Sequence, residues 1–401
     1  MATDTLAQPL PALESWRSDQ APATAALFSA GEGARNLSAG RGRERSPRYR
    51  AALSEAMRLH ERVLSGNRRA SLDFSEAMST SDFPILFGDI LDRQLLGYYR
   101  VQPIKWDLTV RRGRVMDFRT VKRYTSDGAE SVLDIVPELT NYPAAALSEG
   151  EYEYHVTKRG RRVPMSWEVR VNDDLDAFGR IPERLALAAR RSEEHYATSL
   201  FVGAGGPNAT FFSVGHANIL TGNAALTITS LQAALTTLNT QTDADGAPIY
   251  IGEYVLEVPP ALEVVANNLV NAVQIWSANG GGDGTGNDQL QVSNWLAGRL
   301  KVKVNPWLPI IDQTGNKNST WYVWASPGEG RPAMEIGFLI GHEAPELFMK
   351  SPNAIRVGGG GLVDPMAGDF DSDALEYKIR HVFGGTLMDY KMAIVSNGSG
   401  S

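Results

Sequence analysis

The chain has 401 residues, 43% hydrophobic and 21% charged, enough apolar material for a sizeable core. Its 46 acidic and 39 basic side chains give a formal net charge of −7, which argues against a surface that coats nucleic acid throughout. Cysteine is absent, so disulfides, thiolate nucleophiles, iron–sulfur clusters and cysteine zinc sites are excluded.

A length of 401 suits roughly two to three domains at ~150 residues each. No run of 18 apolar residues exists, so no membrane partner is expected. The N-terminus lacks a basic region followed by an apolar one, and Asp4 and Glu14 stand where a signal peptide needs neither. The chain reads as cytoplasmic in origin. Its charge is uneven: residues 1–34 sum to −3, residues 35–69 to +7, and the remaining 332 to −11. Arginine outnumbers lysine thirty to nine, which favours planar bidentate contacts over point charges. Residues 35–69 therefore read either as a solvated basic helix or as an arm that meets phosphate or an acidic partner.

Residues 1–46, rich in Ala, Pro, Ser and Gly, show little periodicity and are expected to order only on a partner. Ser46-Pro47 starts a helix whose apolar face carries Leu53, Met57 and Leu64 and which stops at Gly66-Asn67. A second amphipathic helix is predicted from Phe83 to Tyr99, with Ile85, Leu86, Ile90, Leu91, Leu95 and Leu96 at helical spacing. From Trp106 to Val171 the pattern alternates, with one run through Val115, Asp117, Arg119, Val121 and Arg123. Others pass through Tyr152, Tyr154 and Val156, then Val163, Met165, Trp167 and Val169. This is a long, strongly charged β-excursion whose charged faces suit a surface outside its own subunit.

A helix follows from about Ile181 to Val202, with Pro182 in its first turn. Residues 225–335 read as a compact α/β unit. Ser230 caps a helix bearing Leu231, Leu235 and Leu238, and a strand Tyr254–Val258 runs through Pro259-Pro260 into a further helix. A glycine loop from Gly280 to Gly286 separates that helix from strands at Leu300–Val304 and Trp321–Trp324. Further strands are predicted at Glu335–Leu339, Leu347–Met349, Ala354–Val357, Tyr377–Phe383 and Thr386–Ile394.

Catalytic and metal patterns fail one by one. The six histidines show no helical pair at metal spacing, and His342-Glu343 lacks the second His of a zinc-peptidase motif. Asp369-Phe370-Asp371-Ser372-Asp373 imitates a calcium loop, but Ala374 stands at the position requiring Gly and Arg380 at that requiring Glu. The loop at 280–286 lacks the Lys-Ser/Thr ending of a phosphate-binding loop, and a helix is predicted to lead into it. No Gly-x-Ser-x-Gly elbow exists. Asp173-Asp174 reads best as acids near a helix start. No catalytic residue, cofactor or metal is therefore expected.

Taken in order, these segments resemble the major capsid proteins of tailed bacteriophages, which share the Hong Kong 97 fold. Ser79-Thr80-Ser81-Asp82-Phe83-Pro84 looks like the family's arm entering the shell domains. The charged excursion looks like the extended loop that lies on a neighbouring subunit, and Asn172–Leu175 with Ile181–Val202 like the approach to the spine helix. Tyr254–Pro260 with the helix Leu262–Asn271 is similar to the axial-domain core, and Tyr377–Phe383 through Gly384-Gly385 to Asp389-Tyr390 to the closing strands. The resemblance covers about residues 79–398 and rests on the order of many weak features.

It implies an α+β Hong Kong 97-like fold. An N-terminal arm would occupy 1–80, the start of the peripheral domain 81–114, and the extended β-loop 115–168. The spine helix would fall in 169–210, the axial domain in 211–335, and return strands in 336–401. It further implies a structural protein that assembles as hexamers and pentamers into an icosahedral head enclosing double-stranded DNA. Portal, scaffold and decoration proteins are the implied partners, the DNA contact is non-specific, and the location is the virion after assembly in the host cytoplasm. Arg35, Arg41, Arg43, Arg45, Arg48 and Arg50 become candidate inner-arm contacts. Arg119, Arg123, Arg159, Arg161 and Arg162 become candidate inter-subunit contacts of the extended loop, pairing with carboxylates such as Glu149, Glu151 and Glu153 of a neighbour. Gly280, Gly281, Gly282, Asp283 and Gly284 become a candidate capsomer-axis loop. Some members crosslink a Lys to an Asn; only Lys122 and Lys158 lie in the excursion, so no crosslink is expected. The alternatives are an encapsulin-type nanocompartment shell of the same fold, or a soluble enzyme with a non-obvious site.

Overall fold

A computed structural model describes residues 58, 62, 92, 94–127, 136, 138, 148–166, 175–243, 246–272, 274–278, 289–294, 296, 298–328, 331–350, 355–356, 361–362 and 369–400. The six inner-arm arginines, the start of the second predicted helix, Asp173-Asp174 and the glycine loop 280–286 lie outside the described residues. Arg58 and Arg62 are helical, as are residues 94–101.

In chain order the strands are β1 Arg111–Val115, β2 Val121–Asp127, β3 Ser148–Tyr154, β4 Thr157–Ser166, β5 Val202–Gly203, β6 Gly206–Pro207 and β7 Tyr254–Val258. They continue as β8 Gln274–Ala278, β9 Gln289–Ser293, β10 Leu300–Val304, β11 Trp321–Ala325, β12 Met334–Leu339 and β13 Glu346–Met349. The last are β14 Ile355–Arg356, β15 Gly361–Leu362, β16 Ala374–Leu387 and β17 Ala393–Ser396. Three principal helices join them: α1 Leu175–Phe201, α2 Ile228–Asn239 and α3 Glu263–Asn271. The described chain divides into two compact units. One draws on Met1–Pro103, Thr157–Arg191 and Leu339–Phe383, the other on Ile104–Val156, Ser192–Phe338 and Gly384–Ser401.

In the first unit, β4 and β13 both run antiparallel to β16. Leu375, Tyr377 and Ile379 of β16 pack with Leu95 and Tyr99 and with Ile181, Leu185, Ala186 and Ala189 of α1. Arg190 ties this core from the polar side: its Nε donates to the Tyr99 carbonyl at 3.0 Å, and its guanidinium lies 3.5 Å from that ring's centre. Gly160 is a close-approach position on β4, because a Cβ there would meet the Ile379 carbonyl at 2.4 Å.

The helix α1 starts six residues before the predicted Ile181 and places Pro182 in its interior. Proline has no N–H, so the Phe178 carbonyl loses its helical donor. Beyond that point the stripe from Ile181 to Ala189 is buried in the core of the first unit. At 27 residues the helix is about 40 Å long.

The second unit is built on the sheet β10-β7-β11-β17, with β10 parallel to β7 and the other neighbours antiparallel. Both β7 and β11 are buried along their whole length, so neither alternates; β11 is apolar throughout, and β7 is apolar except for Glu257. Phe201 and Phe212 pack edge-on and tilted around Tyr322 and Trp324, with Phe201 4.9 Å from Trp324. Thr227, not the predicted Ser230, caps α2; Ser230 sits three residues on and reciprocates in a capping box.

A polar network is sunk into this core. Lys303 of β10 lies in register with Glu257 of β7, and its Nζ is 2.9 Å from Glu257 Oε1. Side-chain exposures of 3% and 0% make it a buried ion pair. Lys303 Nζ also donates to Thr109 Oγ1 at 3.0 Å, while Asn305 Nδ2 donates to Glu257 at 2.7 Å and to Thr198 at 2.8 Å.

Three further readings change. The alternating run from Val115 to Arg123 is two strands, broken where the Asp117 carboxylate accepts from the Arg119 N–H at 3.0 Å. A strand, not a helix, is the last described element before the glycine loop: β8 follows α3 and pairs antiparallel with β9. Gly384-Gly385 does not separate two strands, since β16 runs unbroken for 14 residues. A Cβ at Gly384 would meet the His155 carbonyl at 2.1 Å and one at Gly385 the Glu335 carbonyl at 2.3 Å, so these glycines permit close strand approach.

Candidate assembly surface

The described part of the excursion in the second unit is a two-faced hairpin. β2 and β3 pair antiparallel, with Lys122 opposite Glu153 and Tyr124 opposite Glu151. Those four side chains share the solvent face, while Val121, Arg123, Tyr152 and Tyr154 lie on the covered one. On the open face Lys122 pairs with Glu151 and, at 3.1 Å, with Glu153. The hydrogen bond to Glu151 is the largest cause holding the Lys122 ammonium above its ordinary range. Glu151 is held below its own range, chiefly by Lys122.

The covered face converges on one carboxylate. Glu335 of β12, with a side chain 1% exposed, accepts from Arg123 Nε at 2.7 Å, Tyr154 Oη at 2.6 Å and Arg111 Nε at 2.8 Å. Burial pushes the Glu335 carboxyl up, but hydrogen bonds from Tyr154, Arg111 and Arg123 outweigh it and leave the group below the usual carboxylate range. Burial, reinforced by Glu335, pushes the Tyr154 hydroxyl up to about 12, so it stays a donor.

The predicted loop residues thus divide by role. Arg123 is turned inward to Glu335, and Glu151 and Glu153 are engaged within their own hairpin. Arg119 is 91% exposed, with Asp117 3.9 Å away. In the first unit, Arg159 lies 4.8 Å from the centre of the Phe383 ring, Arg162 is 3.5 Å from Glu376, and Arg161 is exposed. The Glu149 side chain and the loop Gly280–Gly284 lie outside the described residues.

Charge reasoning missed three apolar side chains on the excursion. Met116 is 86% exposed, Phe118 54% and Tyr124 63%, next to Arg119 and Lys122. It also missed Glu335, although an acid inside the apolar run Met334–Leu339 is a signal that the carboxylate is buried and paired. Among the described histidines, His381 is buried beside Tyr99 and Phe383, His216 stacks on Tyr390, and His342 pairs with Glu346. Asp369 is engaged by Lys350 at 2.7 Å. Among the described residues no group of three metal-ligating side chains occurs, and no helix is long and apolar enough to cross a membrane.

A family described as phage capsid protein matches residues 150–396, more than half of the chain, from within β3 to the end of β17. The chain belongs to the phage capsid protein family. This capsid protein is accordingly an α+β structural protein of the virion that self-assembles into shells. Its solved neighbours include the capsid of Ralstonia phage GP4, 11% identical, covering 73% of this chain and 88% of that one with a TM-score of 0.46. A structure from Microbacterium phage Oxtober96 is 12% identical, with coverages of 74% and 92% and a TM-score of 0.42. The SrpI encapsulin complex from Synechococcus elongatus is 10% identical, with coverages of 74% and 89% and a TM-score of 0.42. No curated protein matches the capsid protein's sequence.

Proposed function

We propose that this capsid protein tiles an icosahedral head as hexamers and pentamers around packaged double-stranded DNA, acting by assembly and not by catalysis. The observation that carries this reading is the segregation of charge: +7 in residues 35–69 against −11 in the 332 residues beyond them. A net-negative body repels packaged phosphate, while Arg35, Arg41, Arg43, Arg45, Arg48 and Arg50 supply a confined, sequence-independent contact. Assembly in the host cytoplasm, with portal, scaffold and decoration proteins as partners, belongs to the same reading.

The excursion supplies the grip between subunits. Met116, Phe118 and Tyr124 give it apolar contacts to bury on a neighbour, and Arg119 and Arg161 give it charge to match. The loop Gly280–Gly284 joins β8 to β9, and its small residues let five or six copies crowd around the capsomer axis.

Removing residues 1–69 tests the arm. The truncated chain is expected to form altered shells or shells that lose DNA, with nucleic-acid content falling faster as salt rises. If about six arginines meet phosphate, the logarithm of the arm's affinity falls with the logarithm of salt at a slope near −5. Truncated shells with unaltered DNA content at every salt concentration contradict the arm contact. Full-length shells that carry a protein cargo and no DNA contradict the head.

A further inference from the structure

We propose that Glu335 is a positioning residue that latches the root of the β2–β3 hairpin to β12 and so aims the excursion before it meets a neighbour. The inference rests on the reading of the excursion as the inter-subunit element and adds how its direction is set.

Three separate strands send a donor to this one carboxylate. Arg111 comes from β1, Arg123 from β2 and Tyr154 from β3. Arg123 Nη2 also donates to the Arg114 carbonyl at 3.0 Å, which ties β2 back to β1. The backbone is cut to fit the cluster. A Cβ at Gly113 would lie 2.5 Å from Glu335 Oε1, and one at Gly337 would lie 2.5 Å from the Tyr154 hydroxyl oxygen. A side chain at Gly113 would displace the Glu335 carboxylate, and one at Gly337 would push on the Tyr154 ring. The hairpin's opposite face holds Lys122 with Glu151 and Glu153, all half-exposed, and those pairs tie β2 to β3 without tying either to β12. The covered face therefore carries the orientation.

The latch depends on charge. Two guanidiniums face Glu335, and when it is ionised their charge is compensated and the site is satisfied. The other titratable group at the cluster is Tyr154, which remains a donor throughout the acid and neutral range. Residues 384–387 of β16, beside β12, carry no titratable side chain, and Arg112 turns to the Phe338 ring at 4.6 Å. A carboxyl held below its ordinary value contributes its full stabilisation above the usual carboxylate range and loses that contribution as pH falls through the lower folded value. Acid therefore opens the root.

Hydrogen exchange of the full-length chain, unassembled and in shells, tests the latch. In E335Q at neutral pH, amides of β2 and β3 are expected to exchange at least about tenfold faster, with those of β7 and β11 unchanged. In the wild type the same hairpin amides are expected to lose protection on acidification, beyond the change in intrinsic rate, and to lose more than in E335Q, where only the exposed Lys122 pairs are left for acid to weaken. Wild-type protection of the hairpin in E335Q overturns the proposal. Loss of protection in β7 and β11 together with the hairpin also overturns it, because Glu335 then supports the whole unit. If E335Q does not accumulate, R123Q removes the β2 arm of the latch from a partner far more exposed than Glu335 and is read in the same way. Shell formation is a separate outcome: failure to assemble with normal hairpin exchange bears on the neighbour contact and not on the latch.

Discussion

Replacement of Lys303 by methionine is expected to destabilise the second unit by about 3–5 kcal/mol. Glu257, with no exposed side-chain surface, would lose its cationic partner and keep only the Asn305 amide donating to it. The cost comes from stranding that carboxylate in the core, not from losing a strong attraction. The pair K303M/E257L should therefore recover most of the loss, because two apolar side chains of similar size fill the gap between β10 and β7. At roughly 2–4 °C per kcal/mol for a unit of this size, K303M should lower the melting transition by about 10 °C. Calorimetry of the unassembled chain measures it. A K303M transition within about 2 °C of the wild type, or a double variant no better than the single, contradicts the account of this network.

The triple substitution M116D/F118D/Y124D is expected to abolish shell formation and leave the fold intact. All three side chains are more than half exposed, so their change costs the isolated chain little, within about 0.5 kcal/mol each. At a contact between subunits the same positions would lose buried apolar area and place carboxylates in a dry interface. Losses of about 2 kcal/mol or more at each are ordinary for such contacts, and about 1.4 kcal/mol is a tenfold change in association. Every subunit of a shell repeats the loss. Circular dichroism and melting temperature should match the wild type while sedimentation shows no shells. Shells at wild-type yield would remove the excursion from the assembly surface.

The sequence and the fold agree best where one periodicity dominates. Trp321–Trp324 stands out as a continuous apolar run, Tyr254–Val258 as one interrupted only by Glu257, and the helix through Leu185 and Ala189 as a stripe. They disagree where a local signal had two meanings. Pro182 is a common first-turn residue, yet α1 begins at Leu175 and carries it in its interior. Gly384-Gly385 reads as a break, yet it serves the closeness of neighbouring strands, which no local window contains. The excursion was legible as charged and extended, but the roles of its charges were not. Arg119 and Arg123 sit four residues apart in one alternating pattern; one is open to solvent and the other is bound to a carboxylate 212 positions away. Long-range pairing of that kind leaves no periodic trace. The residue that collects the pairing, Glu335, is visible only as an acid in an apolar strand.

The most direct test of the account is electron microscopy of the purified full-length chain together with its mass in solution. Closed isometric shells, in a fraction far heavier than the 43.6 kDa monomer, are the predicted result. A chain that stays monomeric at high concentration and forms no shells would contradict it.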